Sequence, residues 1–334
     1  GQPAGGSWNW SIDVTRLAGD DYTIVVVEQS SGEQATSPAF SILNWQYRRA
    51  LTVDASALPA ALTNYPVALR LDPQNFDYSH ARADGADLRV ATTKTLGNYD
   101  VPFWIERWDP QGESVLWINV ASLDPAAPQP LELSLFYGNP GVTTSPSDEA
   151  KAFPTKTVVT SNKTLDGTHT FAWYQLEKNA TLSITAGKAL RIEAQRIVIS
   201  GDIDGRGAGH AGGASQSPGT GPGAGGKGTN AGGGGGGYGG AGGRGGYDGS
   251  DTRGAAGPAN GGAATTAIDM GSGGAGGAAI GGAGGGSLTL VAEEIVISGD
   301  VDMDGLAGSG GDAQNGGGGS GGGILLIAQH ITLS

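Results

Sequence analysis

The chain of 334 residues contains no cysteine, which excludes disulfide bridges and thiolate metal ligands. Its stability must therefore come from packing, hydrogen bonds or bound cations. Basic residues are also few: 19 Lys and Arg stand against 32 Asp and Glu, and the net charge is −13. Because binding to nucleic acid requires clustered Lys and Arg, we expect no nucleic-acid partner.

Long apolar runs and catalytic motifs are missing as well. No stretch approaches the roughly 20 apolar residues that a membrane-spanning helix needs, so we expect no membrane span. No G-x-S-x-G elbow of hydrolases is indicated, because the match to that spacing at 318–322 lies inside a glycine run, and no H-E-x-x-H motif occurs. The four histidines are scattered at His80, His169, His210 and His330. We therefore expect that the protein is not an enzyme.

Glycine, in contrast, is abundant and unevenly placed. Of the 63 glycines, 12 lie before residue 200 and 51 lie after it. A chain of this length has room for two or three domains, and so sharp a change in composition marks a boundary between them. We expect different folds on the two sides of this boundary.

Aromatic and β-branched runs bounded by Gly or Asp predict strands in the first 145 residues. Segment 1–43 contains such runs at 8–12 and 22–27. It resembles the last strands of bacterial immunoglobulin-like surface repeats, so we interpret it as a partial immunoglobulin-like β-sandwich. Six further strands with turn signals between them are typical of an antiparallel β-sandwich in 44–145: 49–53, 65–71, 87–91, 101–108, 114–120 and 131–137.

Segment 44–145 also carries six ordered motifs: Trp45-Gln46-Tyr47-Arg48, Asn64-Tyr65-Pro66-Val67, Asp84-Gly85-Ala86-Asp87-Leu88-Arg89, Ile105-Glu106-Arg107-Trp108, Leu116-Trp117-Ile118 and Phe136-Tyr137-Gly138-Asn139-Pro140. In these it resembles an uncharacterised β-sandwich domain family of prokaryotic secreted and cell-surface proteins. The resemblance implies an extracellular location at the cell surface, beside other modules. It implies no activity, because the family has none assigned.

An internal repeat predicts a stacked fold in the last third. The sequence from Leu190 to Asp204 recurs from Leu288 to Asp302, and a third copy begins at Ile324. Each copy reads as two short strands joined at an Ala-x-x corner, which is typical of one coil of a parallel β-helix. We therefore predict an all-β chain, with a linker and the first strands in 146–180 and a Gly-rich β-helix-like repeat domain in 181–334.

Two Gly-rich excursions, 205–286 and 305–323, leave the repeat after the same Gly-Asp-hydrophobic-Asp turn. Gly-rich chains are normally flexible coils, but here other residues recur at every third position, as in Tyr238, Ala241, Arg244 and Tyr247. Three residues per turn is the period of the polyproline II helix. Collagen also has this period, but its Gly-X-Y motif and abundant proline are missing. We predict polyglycine II-like segments that hydrogen-bond side by side, anchored by the coils.

Asp300, Asp302 and Asp304 are candidate metal ligands, since they have the D-x-D-x-D-G spacing of a calcium loop. Calcium is the one candidate cofactor. The alternative is a solvated turn of the coil, because no Glu follows at the EF-hand spacing and the matching copy, Asp202-Ile203-Asp204-Gly205, lacks one carboxylate.

Trp104, Trp108 and Trp117 are candidate glycan-binding residues, because aromatic rings can stack on sugars. Trp104 and Trp108 both occupy even positions of one predicted strand, so we expect them on one side of it, an arrangement more typical of a core. Separately, Asn162-Lys163-Thr164 and Asn179-Ala180-Thr181 match the N-glycosylation acceptor triplet.

These patterns together predict an extracellular structural protein of the cell surface, a subunit of a filament, sheath or fibre whose partners are copies of itself. The alternative is an adhesin or carbohydrate-binding surface module with glycans as partners.

Overall fold

The computed structural model describes residues 19–27, 30–38, 40–42, 45–92, 99–247, 249, 252–261, 268–310 and 315–334. The chain divides into two compact units, Gly1–Pro154 and Thr155–Ser334. Within the described residues, regular structure is nearly all β, and one short α-helix, α1 (Glu149–Ala152), follows the last strand of the first unit. The all-β prediction is confirmed. In this part of the chain no helix is long and apolar enough to cross a membrane.

The first unit begins with two antiparallel strand pairs. β1 (Gly19–Tyr22) and β2 (Val25–Val27) are followed by β3 (Gln34–Thr36) and β4 (Phe40–Ile42); β1 pairs with β4 and β2 with β3. The strand predicted at 22–27 is therefore divided in two. The predicted strand at 8–12 lies outside the described residues, so the partial immunoglobulin-like sandwich stays a prediction.

A β-sandwich follows, made of six strands: β5 (Tyr47–Val53), β6 (Leu62–Leu71), β7 (Arg89–Ala91), β8 (Phe103–Arg107), β9 (Ser114–Leu123) and β10 (Leu131–Tyr137). They form two antiparallel sheets, ordered β5-β10-β7 and β6-β9-β8. Alternate residues point into a shared core, where Leu116 and Ile118 of β9 pack with Leu133 and Leu135 of β10. All six strands predicted for this segment are present.

The second unit contains three parallel sheets that the chain visits in turn. The first sheet consists of β11 (Lys156–Val159), β14 (Trp173–Leu176), β17 (Arg196–Ile199), β20 (Glu294–Ile297) and β23 (His330–Leu333). The second sheet consists of β12 (Lys163–Leu165), β15 (Thr181–Ile184), β18 (Asp202–Asp204) and β21 (Val301–Asp302). The third sheet consists of β13 (Gly167–Thr170), β16 (Ala189–Glu193), β19 (Ser287–Val291) and β22 (Gly323–Ile327). Each circuit of three strands forms one coil of a β-helix-like stack.

The sequence repeat corresponds to the structural register of these coils. Leu190 pairs with Leu288, and Leu288 pairs with Ile324, as the alignment of the three copies predicts. The Ala of each predicted corner, Ala194, Ala292 and Ala328, lies between two strands and packs in or against the core. The stacking inferred from the repeat is confirmed in these coils.

The stack begins earlier than the sequence predicted. Strands β11 to β14 occupy 156–176, inside the segment expected to be a linker with the first strands, and the division of the chain falls at Pro154. The turn from the first to the second strand of a coil spans 177–180 in the second coil but only 200–201 in the third. The connection from the second to the third strand is residue 166 alone in the first coil but 185–188 in the second. These unequal connections hide the repeat in the first two coils.

The Gly-rich excursions connect the second and third strands of two successive coils. The first runs from β18 to β19, and the second from β21 to β22. Within them, segment 232–237 shows how they are ordered. Its N–H groups donate in rotation to three neighbours: 232 and 235 to segment 243–246, 233 and 236 to segment 315–318, and 234 and 237 to segment 223–226. A three-residue hydrogen-bond period is the pattern expected of a polyglycine II-like bundle, hereafter the sheaf.

Segment 271–276 lies at the centre of the sheaf. It exchanges hydrogen bonds with segments 209–213, 217–220, 223–228, 232–237, 280–286 and 315–320. Its two side chains larger than hydrogen, Ser272 and Ala275, are both 0% exposed. Ser272 Oγ accepts the Gly223 N–H at 2.9 Å, so even the polar side chain in this position is paired. The interior therefore tolerates only small residues.

Residues 239–247 form what we call the open edge of the sheaf. The inner side of this segment is bonded, since Gly242 donates to Gly257 and Gly245 donates to Gly254. On the outer side, no described residue covers the segment: a Cβ placed on Gly239, Gly240 or Gly243 would have nothing from this part of the chain within 4 Å. The predicted row Ala241, Arg244, Tyr247 is exposed along it.

Adding one methyl group should change the stability of the second unit strongly on the inner side of the open edge and hardly at all on the outer side. Gly245→Ala should lower the free energy of unfolding of the second unit by several kcal/mol, because its Cβ would overlap the carbonyl oxygen of Gly232 in a fixed backbone. Gly243→Ala should leave stability within about 0.5 kcal/mol, or raise it slightly. Thermal unfolding, with hydrogen exchange across 232–257, measures both. Equal effects of the two variants would contradict the packing described here.

One polar atom in the core of the coils has no partner. The Tyr174 hydroxyl is buried between coils, with no hydrogen-bond partner among the described residues. Burial raises the pKa of Tyr174 to about 12, against an ordinary value near 10. Because the folded-state pKa is the higher one, stability is intact below pH ~10 and falls as pH rises from about 10 to about 12.

Tyr174→Phe should therefore match or exceed the wild type at neutral pH, by up to about 1 kcal/mol, since it removes an unpaired buried hydroxyl. Its advantage should grow by about 1–2 kcal/mol between pH 10 and 12. Denaturant unfolding at a series of pH values measures this difference. Tyr247→Phe, at an exposed ring, controls for loss of one hydroxyl. A destabilised Tyr174→Phe at pH 7 would show that the hydroxyl is paired.

Candidate functional site

The three candidate tryptophans do not form a sugar-binding platform. Trp117 is 0% exposed, and its Nε1 donates to Glu106 Oε2 at 2.7 Å. Trp104 pairs with Trp117 across β8 and β9, and both rings pack against Phe153, with centroids 6.3 and 5.1 Å away. A fully buried ring cannot stack on a sugar, so Trp117 is a core residue.

Trp104 and Trp108 lie on opposite sides of their strand, contrary to the prediction. A β-bulge between Ile105 and Arg107 places Ile105 opposite Leu116 and Arg107 opposite Val115. One extra residue reverses the alternation of side chains. Trp108 therefore packs in the sandwich core, where the Tyr78 and Phe76 ring centroids lie 5.0 and 6.1 Å away.

The family-like motifs of the sandwich meet at the buried carboxylate of Asp87. Its Oδ2 accepts the N–H groups of Gly138 and Asn139 at 2.7 and 3.1 Å, and its Oδ1 accepts the N–H of Arg82 at 3.0 Å. The Asp87 carbonyl oxygen accepts from Trp45 Nε1 at 2.7 Å. The motifs at 45–48, 84–89 and 136–140 are thus joined by one residue, whose role is structural because its oxygens are already paired.

A groove of about 370 Å³ lies beside Asp87, lined in part by Tyr47, His80 and Arg82. The Tyr47 ring is stacked on His80, with 3.9 Å between the centroids, and the nearly parallel Tyr137 ring lies 5.5 Å from it. Tyr47 is thus packed against rings of its own domain.

The aspartates at 300–304 lie on and beside the short strand β21. Asp302 Oδ1 accepts the N–H of Asp304 at 2.7 Å, and Asp202 Oδ1 accepts the N–H of Asp300 at 3.4 Å. Asp302 Oδ2 lies 3.9 Å from Arg206. No three His, Asp or Glu side chains in the described ranges are placed to share a metal ion. These contacts join the segment to the equivalent segment of the coil before it, and the calcium site stays a prediction.

A row of charged and aromatic side chains on the first sheet was missed by the sequence reasoning. Lys156, Trp173, Arg196 and Glu294 occupy matching positions of four successive strands. Lys156 Nζ lies 3.7 Å and Arg196 Cζ lies 4.6 Å from the Trp173 ring centroid, and Arg196 Nε lies 3.4 Å from Glu294 Oε2. The spacing along the chain is irregular, so only the register brings them together. They stabilise the stack.

The open edge remains as the candidate interaction surface of the second unit. Tyr247 is 58% exposed, and the Arg253 guanidinium lies 5.3 Å from its ring centroid. Arg244 is exposed on the same row. The stretch from 239 to 253 also contains Asp248 and Asp251, so its formal charges balance. It combines bare glycine backbone with one aromatic and two cationic side chains.

A family model described as a domain of unknown function, DUF2341, matches residues 84–155. This match contains four of the six motifs on which the resemblance rested; those at 45–48 and 64–67 lie before it. It covers a minority of the chain and does not reach the coils or the sheaf. Comparison with curated proteins and with solved structures gives no match.

Asp87→Ala should destabilise the first unit by about 2–4 kcal/mol, because it leaves three buried N–H groups without an acceptor. Asp84→Ala, which removes an exposed turn carboxylate bonded to Ala86 N–H and Arg82, should cost less than about 1 kcal/mol. Denaturant unfolding of both variants provides the comparison. Similar losses would show that Asp87 does not join the motifs as described.

Proposed function

We propose that this protein is an extracellular structural protein of the cell surface, a subunit of a filament, sheath or fibre that associates with copies of itself. The observation that carries the proposal is the open edge, where no described residue covers the hydrogen-bonded glycine bundle. The resemblance of the first unit to domains of secreted and cell-surface proteins supports the location.

The physical argument rests on how sheaf segments recognise one another. Interior segments bond to neighbours on all sides, whereas segment 239–246 bonds on its inner side and presents Gly240 and Gly243 outward among the described residues. A polyglycine II-like segment of a second copy would meet no side chain at these positions. Glycine also loses no side-chain entropy on contact, so backbone hydrogen bonds could continue across the junction.

Opposite charges are available for contact between copies. Arg244 is exposed on the open edge, and Asp202, Asp300 and Asp304 are exposed on the coils. An exposed cation on one copy and exposed carboxylates on another attract each other at low ionic strength. The carbohydrate-binding alternative has one observation in its favour, the exposed Tyr247 ring with Arg253 beside it.

Electron microscopy and sedimentation of native protein test the proposal. We expect assemblies that dissociate when Gly240 and Gly243, which are one three-residue period apart, are both changed to Gln, because the new side chains project where a second segment would lie. The variant should keep the wild-type melting temperature, since nothing among the described residues lies within 4 Å of either Cβ position. Lys178→Gln, at an exposed coil turn, is the matched control and should assemble normally.

Dispersed monomers under all conditions would overturn self-association. Assembly unaffected by the double variant would place the contact elsewhere. Selective retention on a glycan array, lost in Tyr247→Ala, would favour the adhesin instead.

A further inference from the structure

The turn between the first and second strands of a coil carries an Asn-x-Thr triplet in each of the first two coils. Asn162 follows β11 and Asn179 follows β14, and both are exposed. Neither triplet has Pro in its middle position, so both match the acceptor for N-linked glycans. The two sites therefore occupy equivalent places on neighbouring coils.

The structure distinguishes the two asparagines. Asn162 Oδ1 accepts the N–H of Thr181 at 2.9 Å, which ties this side chain to the strand above it. Asn179 makes no side-chain hydrogen bond within the described part of the chain. Its Nδ2 can therefore carry a substituent without breaking a contact.

The turns at this corner pack closely through their backbones. A Cβ on Gly201 would overlap the carbonyl oxygens of Ala180 and Glu177, and a Cβ on Gly299 would overlap the carbonyl oxygen of Gly201. Asn179 is exposed in spite of this packing, so its side chain is accessible from solvent.

We propose that Asn179 is an N-glycosylation site. In the reaction, Asn179 Nδ2 forms a bond to the anomeric carbon of an oligosaccharide carried on a polyprenyl diphosphate. The bond from that carbon to the diphosphate oxygen breaks, the polyprenyl diphosphate leaves with the electron pair, and Nδ2 loses one proton. The site rests on the export that the proposed function requires, because such glycans are added to exported chains.

Mass spectrometry of the protein isolated from its own cells and from their exterior tests this. We expect exported protein whose peptide containing Asn179 carries an oligosaccharide mass in most copies. Asn179→Gln and Thr181→Ala should each abolish that increment, whereas Asn162→Gln should leave the Asn179 peptide modified.

The outcomes separate the two proposals. Exported protein with an unmodified Asn179 peptide would overturn the glycosylation site and leave the structural function standing. Protein retained inside the cell would overturn the extracellular function, and the site with it. An oligosaccharide that persists in Thr181→Ala would show that the triplet does not direct the modification.

Discussion

The second unit depends on backbone hydrogen bonds between glycine segments that bury few apolar side chains. Ordering a residue costs about 1–2 kcal/mol in backbone entropy, so a glycine bundle is ordered only if its amides are paired nearly throughout. Segment 232–237 meets this condition by distributing its N–H groups over three neighbours in rotation. The stacked coils lower the remaining cost, because β18 and β19 fix the two ends of one excursion and β21 and β22 fix the other.

The same constraint explains the Gly-Gly-X spacing. In a helix with three residues per turn, each position faces one direction along the whole segment. At the open edge, glycine occupies two of these directions. One of the two faces the bundle, as at Gly242 and Gly245. The third direction carries Ala241, Arg244 and Tyr247. At the centre of the sheaf, where neighbouring segments lie in all three directions, the third position is occupied by the small residues Ser272 and Ala275. The residue at this position is therefore smaller in the interior of the sheaf than at its edge.

Local and repeated signals made much of the fold predictable from sequence. The register of Leu190, Leu288 and Ile324 and the shared exit point of the excursions follow from the repeat alone. Features that depend on one inserted residue or on distant partners were not predictable. The bulge beside Glu106 reversed the side of Trp108, unequal turns hid the first two coils, and the Asp87 contacts join residues 51 and 52 positions apart.

The surfaces left available argue for self-association over recognition of a foreign ligand. In the sandwich, Trp117 is buried and Tyr47 is stacked on His80 and lies beside Tyr137, so both rings are engaged within their own domain. At the open edge most of the contact surface is glycine backbone. Backbone groups are the same at every residue, so they offer little selectivity for a particular glycan. The distinctive property of this surface is that its side chains recur at every third residue. Another glycine segment of the same kind has the same three-residue period and would match it along its length.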